Sequence, residues 1–162
     1  IRAFASIPNK ENYRVIMSGT GPELNNLKRQ VSELGLRDFF YFPGWVEREE
    51  LLSFFRQAHI FIFPNWWLES GSVALEEAMS FGLASIIPDG GALEWLSGGT
   101  ASTFKNNNVA DLSRAMRQLG ENTNLRIDIA QKGLMHITKL DYRVLGKELE
   151  RILKSIVPAK KS

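Results

Sequence analysis

Short apolar runs alternate along the chain with longer segments in which apolar residues recur every three or four positions. The short runs are rich in β-branched and aromatic residues, and glycine or proline follows most of them, which is the pattern of buried β-strands. They predict strands at 13–18, 39–42, 60–63, 84–87 and 102–104.

The segments between these runs have the spacing of amphipathic helices. They predict helices from Leu24 to a stop at Gly35, over 51–58, 73–81, 93–96 and 112–119, and through the C-terminal third, where the last apolar stripe is Leu145, Leu149, Ile152 and Ile156. Strands that alternate with helices and are apolar nearly throughout are typical of parallel sheets. We therefore predict an α/β fold, a Rossmann-like parallel sheet with helices on both faces, in a single domain over 1–162.

In such a fold, ligands bind beyond the carboxyl ends of the strands, in the loops that lead into helices. The loops in question are 19–23, 43–47, 64–72 and 88–93, and they hold most of the prolines and tryptophans of the chain. We therefore expect the functional residues in these four loops and in the helix starts that follow them.

Composition narrows the functional classes. The absence of cysteine excludes disulfides, thiol nucleophiles and thiolate metal sites. A net charge of +2 is too small to indicate nucleic acid, and the basic tail with Lys154, Lys160 and Lys161 predicts a solvated end, with a membrane-surface role as the alternative. Because Ile1 begins in mid-pattern, we expect this chain to be a piece of a longer protein.

The first loop contains Gly19, Gly21 and Pro22, directly after a predicted strand. Glycines let a backbone come close to a ligand, and proline suits the first position of a helix whose free amides face an anion. Leu24 stands where a dinucleotide fingerprint requires its third glycine, so that motif is excluded. A tight strand-to-helix turn without a ligand explains the glycines equally well.

The segment 64–79 carries the strongest chemical signal. Glu69 stands at the rim after a strand that ends at proline, and Ser72 is suited to cap the next helix, whose first amides would then face a diphosphate. Glu77 lies one turn deeper, in a helix of mostly apolar residues, where hydrogen bonds to two sugar hydroxyls would explain a carboxylate. The alternative is that Glu76 or Glu77 simply faces solvent.

The other candidate side chains have structural explanations. His59 precedes a buried strand and is expected to be structural, while His136 is expected on a helix surface. Trp66 and Trp67 could stack on a sugar or a base, although packing is the commoner fate of tryptophan at strand and helix ends. No group of carboxylates or histidines in the sequence indicates a metal site.

Two glutamates with seven residues between them, Glu69 and Glu77, are followed by Ala78-Met79 and Gly82. This pattern resembles the signature of retaining glycosyltransferase family 4, the glycosyl transferases of group 1. Further segments, in the family's order, are similar too: 19–22 (GTGP), 42–46 (FPGWV), 58–64 (AHIFIFP) and 90–94 (GGALE) with the later glycines at 98–99. The resemblance covers residues 3 to 155.

The resemblance implies the C-terminal, donor-binding half of a two-domain GT-B enzyme. Such an enzyme transfers a hexosyl group from a UDP-, GDP- or ADP-sugar to a glycan, glycolipid or polysaccharide acceptor, without a metal or another cofactor. The glycan or lipid-linked acceptor would bind mainly to the N-terminal half, so we expect the isolated chain to be inactive. A cytoplasmic location is implied, with peripheral association with the inner face of a membrane as the open alternative, and no nucleic-acid partner.

Residue roles follow from the resemblance by position. Glu77 would hold the ribose hydroxyls, and Glu69 would contact the transferred sugar near the reacting centre as the catalytic residue. The donor's diphosphate, base and surroundings would be contacted by a larger set: Ser70, Gly71, Ser72 and Val73 at the helix start, Trp45 and Val46 at the base, and Gly19 and Gly21 on the floor of the site.

Two departures from the family pattern bear on these roles. Gly71-Ser72 replaces the usual Phe-Gly, so a side chain stands where backbone meets phosphate. The family's Gly-Arg…Lys-Gly segment, whose cations neutralise the diphosphate, precedes the position where this chain begins, and Arg2 does not replace it. Two other classes stay open: an epimerase-like nucleotide-sugar enzyme, which would need its own acid and base, and a nucleotide-binding module without turnover.

Overall fold

The computed structural model describes residues 1–65 and 69–156. The strands are β1 (Val15–Ser18), β2 (Phe40–Gly44), β3 (Ile60–Ile62), β4 (Ala84–Pro88) and β5 (Ser102–Phe104). The helices are α1 (Arg2–Ala5), α2 (Leu24–Glu33), α3 (Arg48–Gln57), α4 (Val73–Ser80), α5 (Ala92–Leu96), α6 (Val109–Glu121), α7 (Thr123–Ile137) and α8 (Tyr142–Ile156), with short 3₁₀ turns at Lys10–Asn12, Arg37–Phe39 and Thr138–Leu140.

All the described strand pairs are parallel, which confirms the predicted α/β class. The strands form two sheets, one of order β1–β2 and one of order β3–β4–β5, where the sequence predicted a single sheet. Within the described residues, β1 pairs only with β2 and β3 pairs only with β4, so no strand pairing joins the two sheets. Strand pairing joins residues far apart in sequence, and the local pattern carries no information about it.

Both faces of the three-stranded sheet are covered by helices. All five residues of β4 are buried, and neighbouring residues of this strand point to opposite faces. Ile87 packs with Leu75 and Met79 of α4, while Ile86 packs with Ala115 and Leu119 of α6. β4 therefore lies at the centre of the core, as its mainly apolar sequence, interrupted only by Ser85, predicts.

The two-stranded sheet has an apolar cluster of its own, made of Phe4, Ile7, Val31 and Leu36. Phe4 makes an edge-to-face contact with Phe40, and Met116 of α6 packs against the same cluster. Helix α1 and helix α6 also contact each other. These contacts join the small sheet to the larger one.

The last helix, α8, is amphipathic and has no buried residue. Its predicted apolar stripe is present, but Leu145, Leu149, Ile152 and Ile156 are 41% to 69% exposed. On the polar side, Arg151 pairs with Glu148 and Lys154 pairs with Glu150, both over 2.6 Å. Among the described residues, α8 contacts mainly the 3₁₀ turn that precedes it.

Candidate functional site

Direct contacts join the described parts of the four predicted ligand loops and the helices that follow them. The Gly19 amide donates to the Gly44 carbonyl over 2.6 Å, which joins the first loop to the second. The Arg48 guanidinium at the start of α3 pairs with the Glu77 carboxylate of α4. The Ala92 amide donates to the Glu69 carbonyl over 3.4 Å, which joins the third loop to the fourth.

The first loop is a turn and not a helix start. The Leu24 amide donates to the Gly21 carbonyl over 3.2 Å, and α2 begins at Leu24. The prediction that Pro22 opens the helix is therefore wrong: Pro22 occupies the second position of a β-turn, where its fixed φ is equally suitable. Gly19 has a φ of 118°, which side-chain-bearing residues rarely adopt, and nothing lies within 4 Å of where its Cβ would be.

The second loop presents an exposed aromatic ring. Gly44, the last residue of β2, has a φ of 80°, and the chain turns there toward α3. The Trp45 side chain that follows is 69% exposed, while Val46 is half-buried. This loop therefore offers an indole face and backbone polar groups to a ligand above the sheet edge.

The start of α4 has the capped geometry that the sequence predicts. The Leu75 amide donates to the Ser72 hydroxyl oxygen over 3.2 Å, so Ser72 is the N-cap. No acceptor for the amides of Gly71, Ser72, Val73 and Ala74 is found in the described part of the chain. Free amides at a helix N-terminus carry a partial positive charge, and this end of α4 is therefore suited to an anion.

Glu69 is held in place by a neighbour that the sequence analysis missed. Its side chain is half-buried, and the Asn65 side-chain amide donates to its Oε1. Asn65 follows Pro64 at the end of the strand, and a polar residue at that position is the one signal that could have identified it. The bond leaves carboxylate lone pairs of Glu69 available to a further donor.

Glu77 does not simply face solvent, because its side chain is 20% exposed and its Oε1 accepts a hydrogen bond from Nη1 of Arg48. The sequence analysis also missed Arg48. The adjacent Ala78 is fully buried, in a cluster with Phe55 of α3 and Leu83. The helix that carries Glu77 packs mainly against α7 and β4, and this cluster adds a contact with α3.

The two histidines differ from expectation. His59 is exposed, so the structural role expected of its side chain is wrong, although its carbonyl accepts from the Ala84 amide over 3.2 Å. His136 is half-buried, not a plain surface residue, and its Nε2 lies 3.1 Å from the Leu96 carbonyl oxygen. Trp66 and Trp67 lie outside the described residues, as do Lys160 and Lys161.

Two surface depressions lie outside these loops, and the second of them adjoins the end of the fourth loop. One, of about 620 Å³, lies between α6 and α7 beside Arg117 and Asn124, and one of about 350 Å³ lies beside Trp95 and His136. Within residues 1–65 and 69–156, no group of three or more His, Cys, Asp or Glu side chains could hold a metal ion. In the same residues, no helix is long and apolar enough to cross a membrane. The candidate site is thus an open edge lined by amides and two carboxylates.

The family model for the glycosyl transferases of group 1 matches residues 1–135, which include all four loops and both glutamates. The chain belongs to this family. An uncharacterized glycosyltransferase of Methanocaldococcus jannaschii is 29% identical over 93 residues, which are 57% of this chain and 24% of that protein. The mannosylfructose-phosphate synthase of Agrobacterium fabrum is 34% identical over 82 residues, or 50% of this chain and 18% of the synthase.

Solved structures of glycosyltransferases share the fold. A sucrose-phosphate synthase from Thermosynechococcus elongatus superposes with a TM-score of 0.79 over 95% of this chain and 40% of its own, at 18% identity. Anabaena Alr3699/HepE, in complex with UDP, gives a TM-score of 0.81 over 94% and 43% of the two chains, at 19% identity. This group 1 chain thus spans less than half the length of these relatives, and it has the predicted architecture of one half of a GT-B fold.

Proposed function

We propose that this chain is the nucleotide-sugar-binding domain of a retaining glycosyltransferase of family 4, and that it forms the C-terminal half of a longer GT-B protein. The whole protein would transfer a hexosyl group to a glycan, glycolipid or polysaccharide acceptor. The observation that carries the proposal is the Ser72-capped start of α4, whose free amides lie between two half-buried carboxylates, Glu69 and Glu77.

The diphosphate of the donor binds at the start of α4. The amides of Gly71, Ser72 and Val73 supply hydrogen-bond donors, and the helix dipole adds a favourable field for negative charge. Ser72 accepts from Leu75 through its oxygen, so its hydroxyl proton is still available to donate to a phosphate oxygen. Ser70, exposed beside them, completes this donor surface.

The two carboxylates bind hydroxyl groups on either side of the diphosphate. Glu77 lies four residues after Val73, the first residue of α4, and accepts hydrogen bonds from the ribose hydroxyls. Glu69, which precedes the helix, accepts from hydroxyls of the transferred sugar close to the bond that breaks. Carboxylates suit both tasks because they are strong acceptors with several lone pairs.

The first two loops bind the nucleoside. Trp45 and Val46 lie beside the start of α3, close in sequence to the Arg48 that reaches Glu77, and they contact the base. The Gly19 and Gly21 turn forms the floor, because glycine at these positions leaves open space within 4 Å. Complexes of Anabaena HepE with UDP and with UDP-glucose support a nucleotide-sugar donor for this fold.

In the reaction, this domain stabilises the leaving group. Breaking the bond between the sugar and the diphosphate leaves negative charge on the phosphate oxygens and a cation-like sugar. Preorganised amides at the start of α4 stabilise the first, and the Glu69 carboxylate stabilises the second. Such groups act most strongly when water is excluded, and the acceptor-binding half would cover this open edge.

Calorimetric titration of the chain with UDP, GDP and ADP tests the proposal. We expect saturable binding of one nucleotide by the wild type. In Glu77→Ala the affinity for this nucleotide should fall by about tenfold or more, because hydrogen bonds to a carboxylate are lost. Glu76→Ala is the matched control: it removes the neighbouring glutamate of the same helix and should leave the affinity unchanged. Equal binding by the wild type and both variants would contradict the proposed role of Glu77.

The isolated chain should bind a donor nucleotide without transferring sugar, because the acceptor half of the cleft is not in it. An assay with the purified 162-residue chain, a nucleotide sugar and a glycan or lipid acceptor checks this. Sugar transfer by the chain alone would show that the proposed division of labour is wrong.

A further inference from the structure

The ion pair between Arg48 and Glu77 joins two helices at the nucleoside end of the site. Nη1 of Arg48 donates to Oε1 of Glu77, across 29 positions of sequence. The Arg48 side chain is 64% exposed, and the Glu77 side chain is 20% exposed. Among the described residues, each is the other's side-chain partner, and nothing donates to Oε2 of Glu77.

Stability alone explains this pair poorly. An ion pair whose arginine is largely exposed contributes little to folding, because water screens it and ordering two long side chains costs entropy. Arg48 is also the first residue of α3, where the helix dipole disfavours a cation, while Glu49 and Glu50 nearby have the favourable sign. Phe55 of α3 and Ala78 of α4 already lie in one buried cluster with Leu83, so an apolar contact joins the two helices beside the pair.

The geometry points to another role. Arg48 lies two residues after Val46, on the helix that follows the proposed base-binding loop, and it engages one oxygen of Glu77 while the other has no protein partner in the described region. A carboxylate on a flexible side chain loses rotational freedom when it binds a ligand. A cation bonded to one oxygen restricts that freedom beforehand and leaves the second oxygen available to a ligand.

We infer that Arg48 is a positioning residue of the nucleoside site: it orients the Glu77 carboxylate so that its free oxygen accepts from the ribose hydroxyls. This inference rests on the proposed function, which places the ribose at Glu77. Arg48 acts through Glu77, so its contribution depends on the hydroxyls of the ligand and not on the base or the diphosphate.

The test compares nucleotides with and without ribose hydroxyls. Affinities of the chain are measured calorimetrically for UDP, GDP and ADP and for their 2′,3′-dideoxy counterparts. Removing both hydroxyls should weaken binding of the preferred nucleotide to the wild type by about tenfold or more. In Arg48→Gln, as in Glu77→Gln, the same removal should change affinity by less than about threefold, and Arg48→Lys should restore part of the difference.

Arg56→Gln is the matched control. Arg56 lies on the same helix, pairs with Glu49 over 3.3 Å, and is 54% exposed. Its replacement by glutamine therefore removes a similar cation that does not contact Glu77. It should keep the wild-type dependence on the hydroxyls. Melting temperatures equal to that of the wild type for both Arg48→Gln and Arg56→Gln would show that neither change acts through unfolding.

Three results would overturn the inference. If Arg48→Gln keeps the wild-type difference in affinity between the ribose and the dideoxy nucleotide, the pair is an ordinary surface contact. Equal weakening of the ribose and dideoxy nucleotides in that variant would mean that Arg48 contacts the base or the phosphates directly. If no nucleotide binds the wild type, the proposed function fails together with this inference, whereas the first two results leave the proposed function intact.

Discussion

The hydroxyl oxygen of Ser72 accepts a hydrogen bond from the Leu75 amide over 3.2 Å. The bond makes Ser72 the cap of α4, at the position where the family usually has glycine. One side chain thus has two proposed tasks, because it orders the start of the helix and offers its hydroxyl proton to the diphosphate. Substitutions at Ser72 test both tasks.

Ser72→Ala should lower the free energy of unfolding by about 1 kcal/mol, as expected when a helix cap is lost. It should also weaken nucleoside diphosphate binding by a few-fold, because a phosphate donor is lost. Ser72→Thr keeps a hydroxyl and should retain most of both properties. Chemical denaturation and calorimetric titration of the two variants provide the measurements, and an alanine variant as stable as the wild type would contradict the capping role.

Asn65→Ala should weaken binding of the nucleotide sugar more than binding of the free nucleotide. The reason is that Asn65 donates to Glu69, which is proposed to contact the sugar and not the nucleoside. We expect a loss of about two- to tenfold for UDP-glucose, or for the GDP or ADP analogue that the chain prefers, and little change for the corresponding diphosphate. Asn124→Ala, on the exposed start of α7, is the control. Equal losses for sugar and diphosphate would argue against the link through Glu69.

Gly98→Ala should destabilise the fold for two reasons. Gly98 has a φ of +61°, and its added Cβ would lie 2.3 Å from Nδ1 of His136. Together, the strain and the overlap should cost about 2 kcal/mol or more. Gly99→Ala has a similar φ of +68° but open space around its Cβ, so it should show the strain alone, about 1 kcal/mol.

Thermal unfolding of both variants separates the two contributions. In a His136→Ala background, Gly98→Ala should cost no more than Gly99→Ala, because the imidazole ring is no longer in the way. A full penalty in that background would show that the ring contact is unimportant.

Acidification should remove the contribution of Asp111 to stability. The hydrogen bond from Arg114, over 2.7 Å, and the one from the Lys105 amide, over 2.6 Å, lower the pKa of the Asp111 carboxyl from its ordinary value. A lowered pKa in the folded state means that the contribution is complete above the ordinary pKa of about 4 and is lost as the pH falls below it.

Thermal melts of the wild type and Asp111→Asn between neutral and acidic pH provide the measurement. The difference between their melting temperatures should be largest near neutral pH and should close below about pH 4. Asp128→Asn, which removes an exposed carboxylate paired with Lys132, should show a much smaller difference at every pH. A constant gap for Asp111→Asn would contradict the assignment.

The order and type of the main elements were predictable because each depends on local pattern. The strand predicted over 84–87, from a mainly apolar run closed by Pro88, is confirmed by β4, whose five residues are all buried. Boundaries were harder to place. β2 continues through Pro43 to Gly44, because an edge strand tolerates proline, and α3 begins at Arg48, before its first apolar residue.

The candidate site was predictable as a set of loops but not as a set of contacts. The Glu69 and Glu77 spacing, the small residues between them and the Ser72 cap are all readable along one stretch of chain. Arg48 is separated from Glu77 by 29 positions, and its contact with Glu77 depends on how α3 packs on α4. No local pattern encodes such packing, which is why the two polar partners Arg48 and Asn65 were missed.

The exposed stripe of α8 has a consequence for how the chain melts. With no buried residue, this helix depends mainly on its own backbone bonds and on pairs such as Arg151–Glu148, and isolated helices of such length are marginal in water. Its amides should exchange with deuterium long before those of β4. Circular dichroism at 222 nm should therefore fall gradually with temperature, before near-ultraviolet signals from the buried aromatic residues report the loss of the core.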